Sequence, residues 1–88
     1  MELQELKDHL EGMGQEGTVV LEQPDYAGAV VGITDTGRLA YDFEKMVGWL
    51  MERDGMEYDE AVEFIEYNTI RALPYMGEKA PVVIYPLE

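Results

Sequence analysis

Eighty-eight residues carry 19 acidic side chains against 6 lysines and arginines, a net charge of −13, with no cysteine and no serine. Phosphate binding depends on Lys and Arg, so this charge argues against nucleic acid and against an anionic membrane surface, and favours a basic protein as partner. The missing Ser and Cys remove the usual hydroxyl and thiol nucleophiles, and a single histidine, His9, cannot build a His-pair metal site or a His relay within one chain. In chain order, Leu3, Leu6 and Leu10 recur at helical spacing, with Met13 extending the stripe and Gly12 and Gly14 marking its end. This predicts a first amphipathic helix over 2–11, with His9 beside the stripe at the edge of the core or on the surface.

Thr18-Val19-Val20-Leu21-Glu22 is rich in β-branched residues and predicts a strand. Gln23 to Gly28 is punctuated by Pro24 and Gly28 and reads as a loop. A second strand is expected over Ala29–Ile33, where Gly32 signals a bulge or close packing by a helix. Thr34-Asp35-Thr36-Gly37 reads as a tight turn with Gly37 at positive φ, and Arg38–Tyr41 returns as a third strand, completing an antiparallel meander.

Asp42 is a good N-cap for a second helix, in which Phe43, Met46, Val47 and Leu50 share one face, Trp49 sits at the boundary, and Gly55 supplies the C-terminal stop. Gly48 costs about 1 kcal/mol against Ala inside a helix, so either something packs closely there or the position is simply tolerated. A third helix is expected from Tyr58 to Ala72, with Tyr58, Ala61, Val62, Ile65, Thr69 and Leu73 on one face and Leu73-Pro74 closing it. After a Tyr- and Gly-containing loop, Pro81 leads into a last strand, Val82–Tyr85, stopped by Pro86. The expected fold is one α+β domain over residues 1–88, in the order αβββααβ. It has a small antiparallel-dominated sheet of about four strands with a helical pair packed on it. The position of the last strand in the sheet stays open.

Hydrophobic residues make up 47% of the chain, which argues against disorder, and no run approaches the roughly 18 apolar residues of a membrane span. The acidic start lacks the apolar core of a signal peptide, and with no cysteine the cytoplasm is the expected compartment. Between Asp42 and Glu66 lie nine acids and two bases, a net of −7. Glu57, Asp59, Glu60, Glu63 and Glu66 concentrate this charge on the third helix, and Tyr67 stands at its rim. A solvated helix face accounts for such a stripe, and outweighs the sharper reading of a phosphate-like row of carboxylates facing a basic groove. Exposed carboxylates lack the desolvation that general acid–base work requires, and their spacing does not match a Ca²⁺ loop, so no catalysis, metal or cofactor is expected. The helix–turn–helix outline is rejected as a DNA reader because its second helix is acidic. Tyr67, Asn68, Arg71 and Tyr75 form either a structural join or a second recognition patch.

The runs Gly32-Ile33-Thr34-Asp35 through Tyr41-Asp42-Phe43-Glu44-Lys45-Met46, Glu52-Arg53-Asp54-Gly55-Met56 and Glu63-Phe64-Ile65-Glu66-Tyr67-Asn68-Thr69, with the Leu73-Pro74-Tyr75 exit, resemble a family of small uncharacterised proteins of bacteria and their phages or mobile elements. The likeness spans roughly residues 29–86, about two thirds of the chain, and brings no activity with it. In broad character the chain is also similar to phage anti-defence proteins, including anti-CRISPR proteins, which are often small, acidic, Cys-poor and free of catalytic motifs. The expected function is therefore a non-enzymatic acidic binding protein that occupies the nucleic-acid groove of a basic host protein. A homodimeric assembly module, resting on Trp49, Met51 and Met56, is the alternative. A small enzyme or ligand binder built on tyrosines and carboxylates is a third, and it would require a deep pocket.

Overall fold

The computed structural model describes residues 1–87. Helix α1 spans Leu3–Gly12 and buries Leu6 and Leu10, while Glu5 turns back to accept the Glu2 N–H at 3.2 Å, the return half of a capping box. Met13, expected to extend the apolar stripe, is instead 49% exposed.

The first expected strand does not form. Residues 18–22 are extended but join no ladder. The Val19 N–H donates to the Lys79 carbonyl at 3.3 Å, and the Leu21 N–H donates to the Tyr41 hydroxyl at 3.1 Å. The β-branched composition of this segment reflects burial against the core rather than pairing, since Leu21 is buried and Val19 and Val20 are half-buried.

Strand β1 (Val30–Ile33) pairs antiparallel with β2 (Leu39–Asp42). The register steps from Val30 opposite Tyr41 to Gly32 opposite Ala40, so Val31 is the extra residue of a bulge. No atom lies within 4 Å of a Cβ built at Gly32, so its glycine answers to the bulge and not to close helix packing. The intervening turn takes the expected shape. Gly37 sits at φ +78°, and the Thr34 hydroxyl accepts the Arg38 N–H at 3.0 Å.

Strand β3 (Val82–Ile84) lies on the other side of β2 and runs parallel to it. The sheet is thus three-stranded and mixed, in the order β1-β2-β3, not a four-stranded antiparallel one. A parallel neighbour requires a crossover, and the two helices between β2 and β3 supply it. The central strand is covered on both faces, so Leu39, Ala40 and Tyr41 are buried in succession.

Helix α2 (Phe43–Asp54) begins as expected, with the Asp42 carboxylate accepting the Lys45 N–H at 2.9 Å, and ends at Gly55 in the left-handed region at φ +67°. Its inner face (Phe43, Met46, Val47, Leu50) meets Leu6, Leu10, Tyr26, Ala29, Leu39, Tyr41, Ala61 and Ile65 in one core.

The third helix is not uniform. Helix α3 proper covers Tyr58–Phe64, a π-helical turn follows over Ile65–Thr69, and a 3₁₀ segment over Ile70–Tyr75 carries the chain past Pro74, where closure was expected. Pro74 has no N–H to offer and its ring crowds the carbonyl four residues back, at Ile70, so an α pattern cannot run through it. Among the described residues no helix is long and apolar enough to cross a membrane.

Candidate partner-binding face

The α2–α3 pair determines where the acidic residues stand. Ala61, Ile65 and Thr69 turn inward, which leaves Glu57, Asp59, Glu60, Glu63, Glu66 and Tyr67 on the outside, all exposed. These residues do not act alike. Glu60 is partly engaged in its own helix, where its carboxylate accepts the Glu57 N–H at 3.1 Å as part of a capping box. Asp59 and Glu63 project from the α-helical part. Glu66 and Tyr67 lie in the π turn, so the stripe crosses a change of helical period.

Two contacts extend the face beyond the residues the sequence singles out. Tyr58, expected on the buried side, is 49% exposed. Its hydroxyl donates to both carboxylate oxygens of Glu44 on α2, at 3.1 and 3.0 Å. That hydrogen bond is the leading cause of a raised Tyr58 pKa, because ionisation would remove the proton it donates, and desolvation and then the Glu44 charge push the same way. Glu44 thereby joins the acidic surface from a second helix. No spacing in the sequence signals this, since it depends on how α2 and α3 pack. At the other end the Arg71 guanidinium lies 5.5 Å from the centre of the Tyr67 ring, so the rim carries one positive charge. Asn68 does not reach a strand or a loop. Its amide donates to the Phe64 carbonyl one turn back at 3.0 Å. Of the alternative patch, Tyr67 and Arg71 come together, and Tyr75 stands apart at 88% exposure.

The cations do little to offset the acids. Among the described residues the one ion pair is Lys7–Glu22, at 2.8 Å. Arg38 donates to the Ala80 carbonyl (2.6 Å) and Lys79 to the Glu16 carbonyl (3.1 Å), while Arg53 lies over the Trp49 ring at 4.7 Å. These charges contact backbone and rings, and none of them forms an ion pair with a carboxylate of α3. Among the described residues no group of three or more His, Asp or Glu side chains could hold a metal ion.

Two hollows lie away from this face. One of about 540 Å³ separates α1 from residues 14–22, and the Lys7–Glu22 pair borders it. Another, of about 320 Å³, lies between residues 19–24 and the π turn and is lined by Asn68 and Thr69. Both are open to solvent, and neither contains the acidic stripe of α3. Comparison with protein-family models, with curated proteins and with solved structures finds no match for this chain.

Proposed function

We propose that this chain is a non-enzymatic acidic binding protein that occupies the basic, nucleic-acid-binding surface of a partner protein. The observation that carries this reading is the set of exposed, unpaired carboxylates on α3, Asp59 and Glu63 foremost. Glu66, Glu57, Glu60 and Glu44 flank them on the same helical pair, and five of the chain's six cations are engaged in other contacts. A row of fixed negative charges on a rigid helix attracts the Lys and Arg side chains that otherwise hold phosphates, and raises the association rate through its field. Tyr67 contributes an exposed ring at the rim, a residue type enriched in binding hot spots. In the setting that the resemblance implies, such a protein is a phage or mobile-element inhibitor of the anti-CRISPR or anti-restriction kind, acting in the cytoplasm by steric occupation of the groove.

The test is capture of partners from a bacterial lysate on immobilised protein at low and high salt, with competition by duplex DNA. A basic partner should be retained at about 0.1 M salt, released at about 1 M as the Debye length contracts from about 10 Å to about 3 Å, and displaced by the DNA. The informative variant is Asp59→Lys with Glu63→Lys, because neither carboxylate takes part in the capping box; Asp59 lies in the first turn of α3, where a cation costs about 0.3–1 kcal/mol, so an unchanged circular-dichroism spectrum establishes that the variant is folded. Retention of the same partner by this double variant would sink the assignment.

A further inference from the structure

We propose that the solvent side of α2 is a self-association surface, on which a second copy of this chain packs antiparallel about a two-fold axis passing between Gly48 and Trp49. The inference is independent of the acidic face, because it uses a different side of the helical pair. Phe43, Met46, Val47 and Leu50 are spent on the core. Lys45, Gly48, Trp49 and Glu52 fall within a roughly 100° arc on the other side of the same helix. They border, with Gly28 and Met51, an open and mainly apolar groove of about 500 Å³.

Charge identifies the occupant. Lys45 is the one lysine or arginine whose side chain makes no ion pair, hydrogen bond or ring contact among the described residues; the other five are engaged. Glu52 is likewise unpaired and exposed. The two stand seven residues apart, about 10.5 Å along the axis, with Gly48 and Trp49 midway. An antiparallel copy centred there sets each Lys45 against the partner's Glu52, and by symmetry each Glu52 against the partner's Lys45, which is the self-complementarity a two-fold interface demands.

Shape agrees with charge. Trp49 is half-buried, tilted against Tyr26 with ring centres 5.3 Å apart and with the Arg53 guanidinium 4.7 Å from its ring centre, and its remaining edge borders the groove. No atom of this chain lies within 4 Å of a Cβ built at Gly48. The same axis brings the two Trp49 rings side by side on one flank of the seam and the two Gly48 positions together on the other, where the absence of a side chain lets the backbones approach. The opposing force is mutual repulsion between two chains of charge −13, so dimerisation strengthens with salt, opposite to capture of a basic partner.

The experiment is sedimentation equilibrium at about 0.1 M and about 1 M salt, which shortens the Debye length from about 10 Å to about 3 Å, with the fluorescence of the single tryptophan followed over the same concentrations. A dimer whose fraction rises with salt, with Trp49 emission shifting blue on dilution reversal, is expected. Lys45→Glu and Glu52→Lys should each weaken association by roughly tenfold at the lower salt, because each replaces two attractive contacts by two repulsive ones. An equimolar mixture of the two variants should recover the affinity, since two acids on one copy then face two lysines on the other. Glu52→Lys is decisive, as it makes the chain less negative and would strengthen association if overall repulsion alone governed it. A chain that stays monomeric under all these conditions, or a dimer indifferent to positions 45 and 52, overturns the proposal.

Discussion

Tyr41 ties the irregular part of the chain to the regular part. It lies in the central strand, fully buried, and its hydroxyl accepts the N–H of Leu21 from a segment with no sheet partner of its own. Tyr41→Phe leaves that buried N–H unsatisfied and should cost about 1–3 kcal/mol, read as a lowered urea midpoint at unchanged slope. Burial pushes the Tyr41 pKa up to about 12, against a smaller downward pull from the Leu21 hydrogen bond. Tyr26 is raised in the same direction, also chiefly by burial; its hydroxyl is enclosed without a hydrogen-bond partner, and the Thr69 side chain pulls the other way. An unfolded tyrosine releases its proton near pH 10 while Tyr41 in the fold keeps it, so the unfolded state binds fewer protons. Stability is therefore fully present below about pH 10 and falls as the pH rises toward about 12. Denaturant midpoints flat across that window would contradict this. The sequence shows a tyrosine in a strand-like run and nothing more; the role of its hydroxyl depends on a residue twenty positions away.

Helix α2 was legible almost to its ends, because caps and apolar period are local features. Asp42 at the start, Gly55 at the stop and the buried quartet between them follow from short-range rules. Its two glycines should respond oppositely to Ala. Gly55 occupies φ +67°, where a Cβ is strained, so Gly55→Ala should destabilise by about 1 kcal/mol. Gly48 is helical with open space around it, so Gly48→Ala should stabilise the monomer by up to about 1 kcal/mol. A pair of thermal melts decides both, and equal signs would refute the assignment. The third helix was legible only in part. Its inward face is as expected at Ala61, Ile65 and Thr69, but Tyr58, the first residue of α3, stands 49% exposed with its hydroxyl on Glu44 of α2. The change from α to π to 3₁₀ was also missed: Pro74 announces an ending, while the chain accommodates it by changing helical period.

Charge acts on the molecule as a whole. With one ion pair among the described residues and a net −13, the folded chain repels itself more than its expanded unfolded form does. Its melting temperature should therefore rise between about 0.01 M and about 0.1 M salt, as the Debye length shortens from about 30 Å to about 10 Å. A melting temperature unmoved by salt would mean that the carboxylates are locally compensated. The sheet is where prediction and structure part most. A meander was expected because three β-like runs follow one another, yet the first pairs with neither edge of the sheet. In the structure β1 and β3 flank β2, and residues 18–22 are held by a backbone contact at Lys79, by the Tyr41 hydroxyl and by the Thr18 hydroxyl, which donates to the Gly37 carbonyl of the β1–β2 turn at 2.9 Å.

The α+β class, the caps and core face of α2, the turn at 34–37 and the exposure of the acidic residues were all determined by the sequence itself. Each depends on residues within a turn or two of one another, where propensity, period and solvation act directly. Only the tertiary structure decided that the sheet has three strands with a parallel member, that Glu44 joins the acids of α3 through Tyr58, and that the Lys45–Glu52 side of α2 is left uncovered. Those outcomes depend on which distant segments meet, and strand partners and helix contacts are chosen by the packing of the whole core rather than by any local pattern.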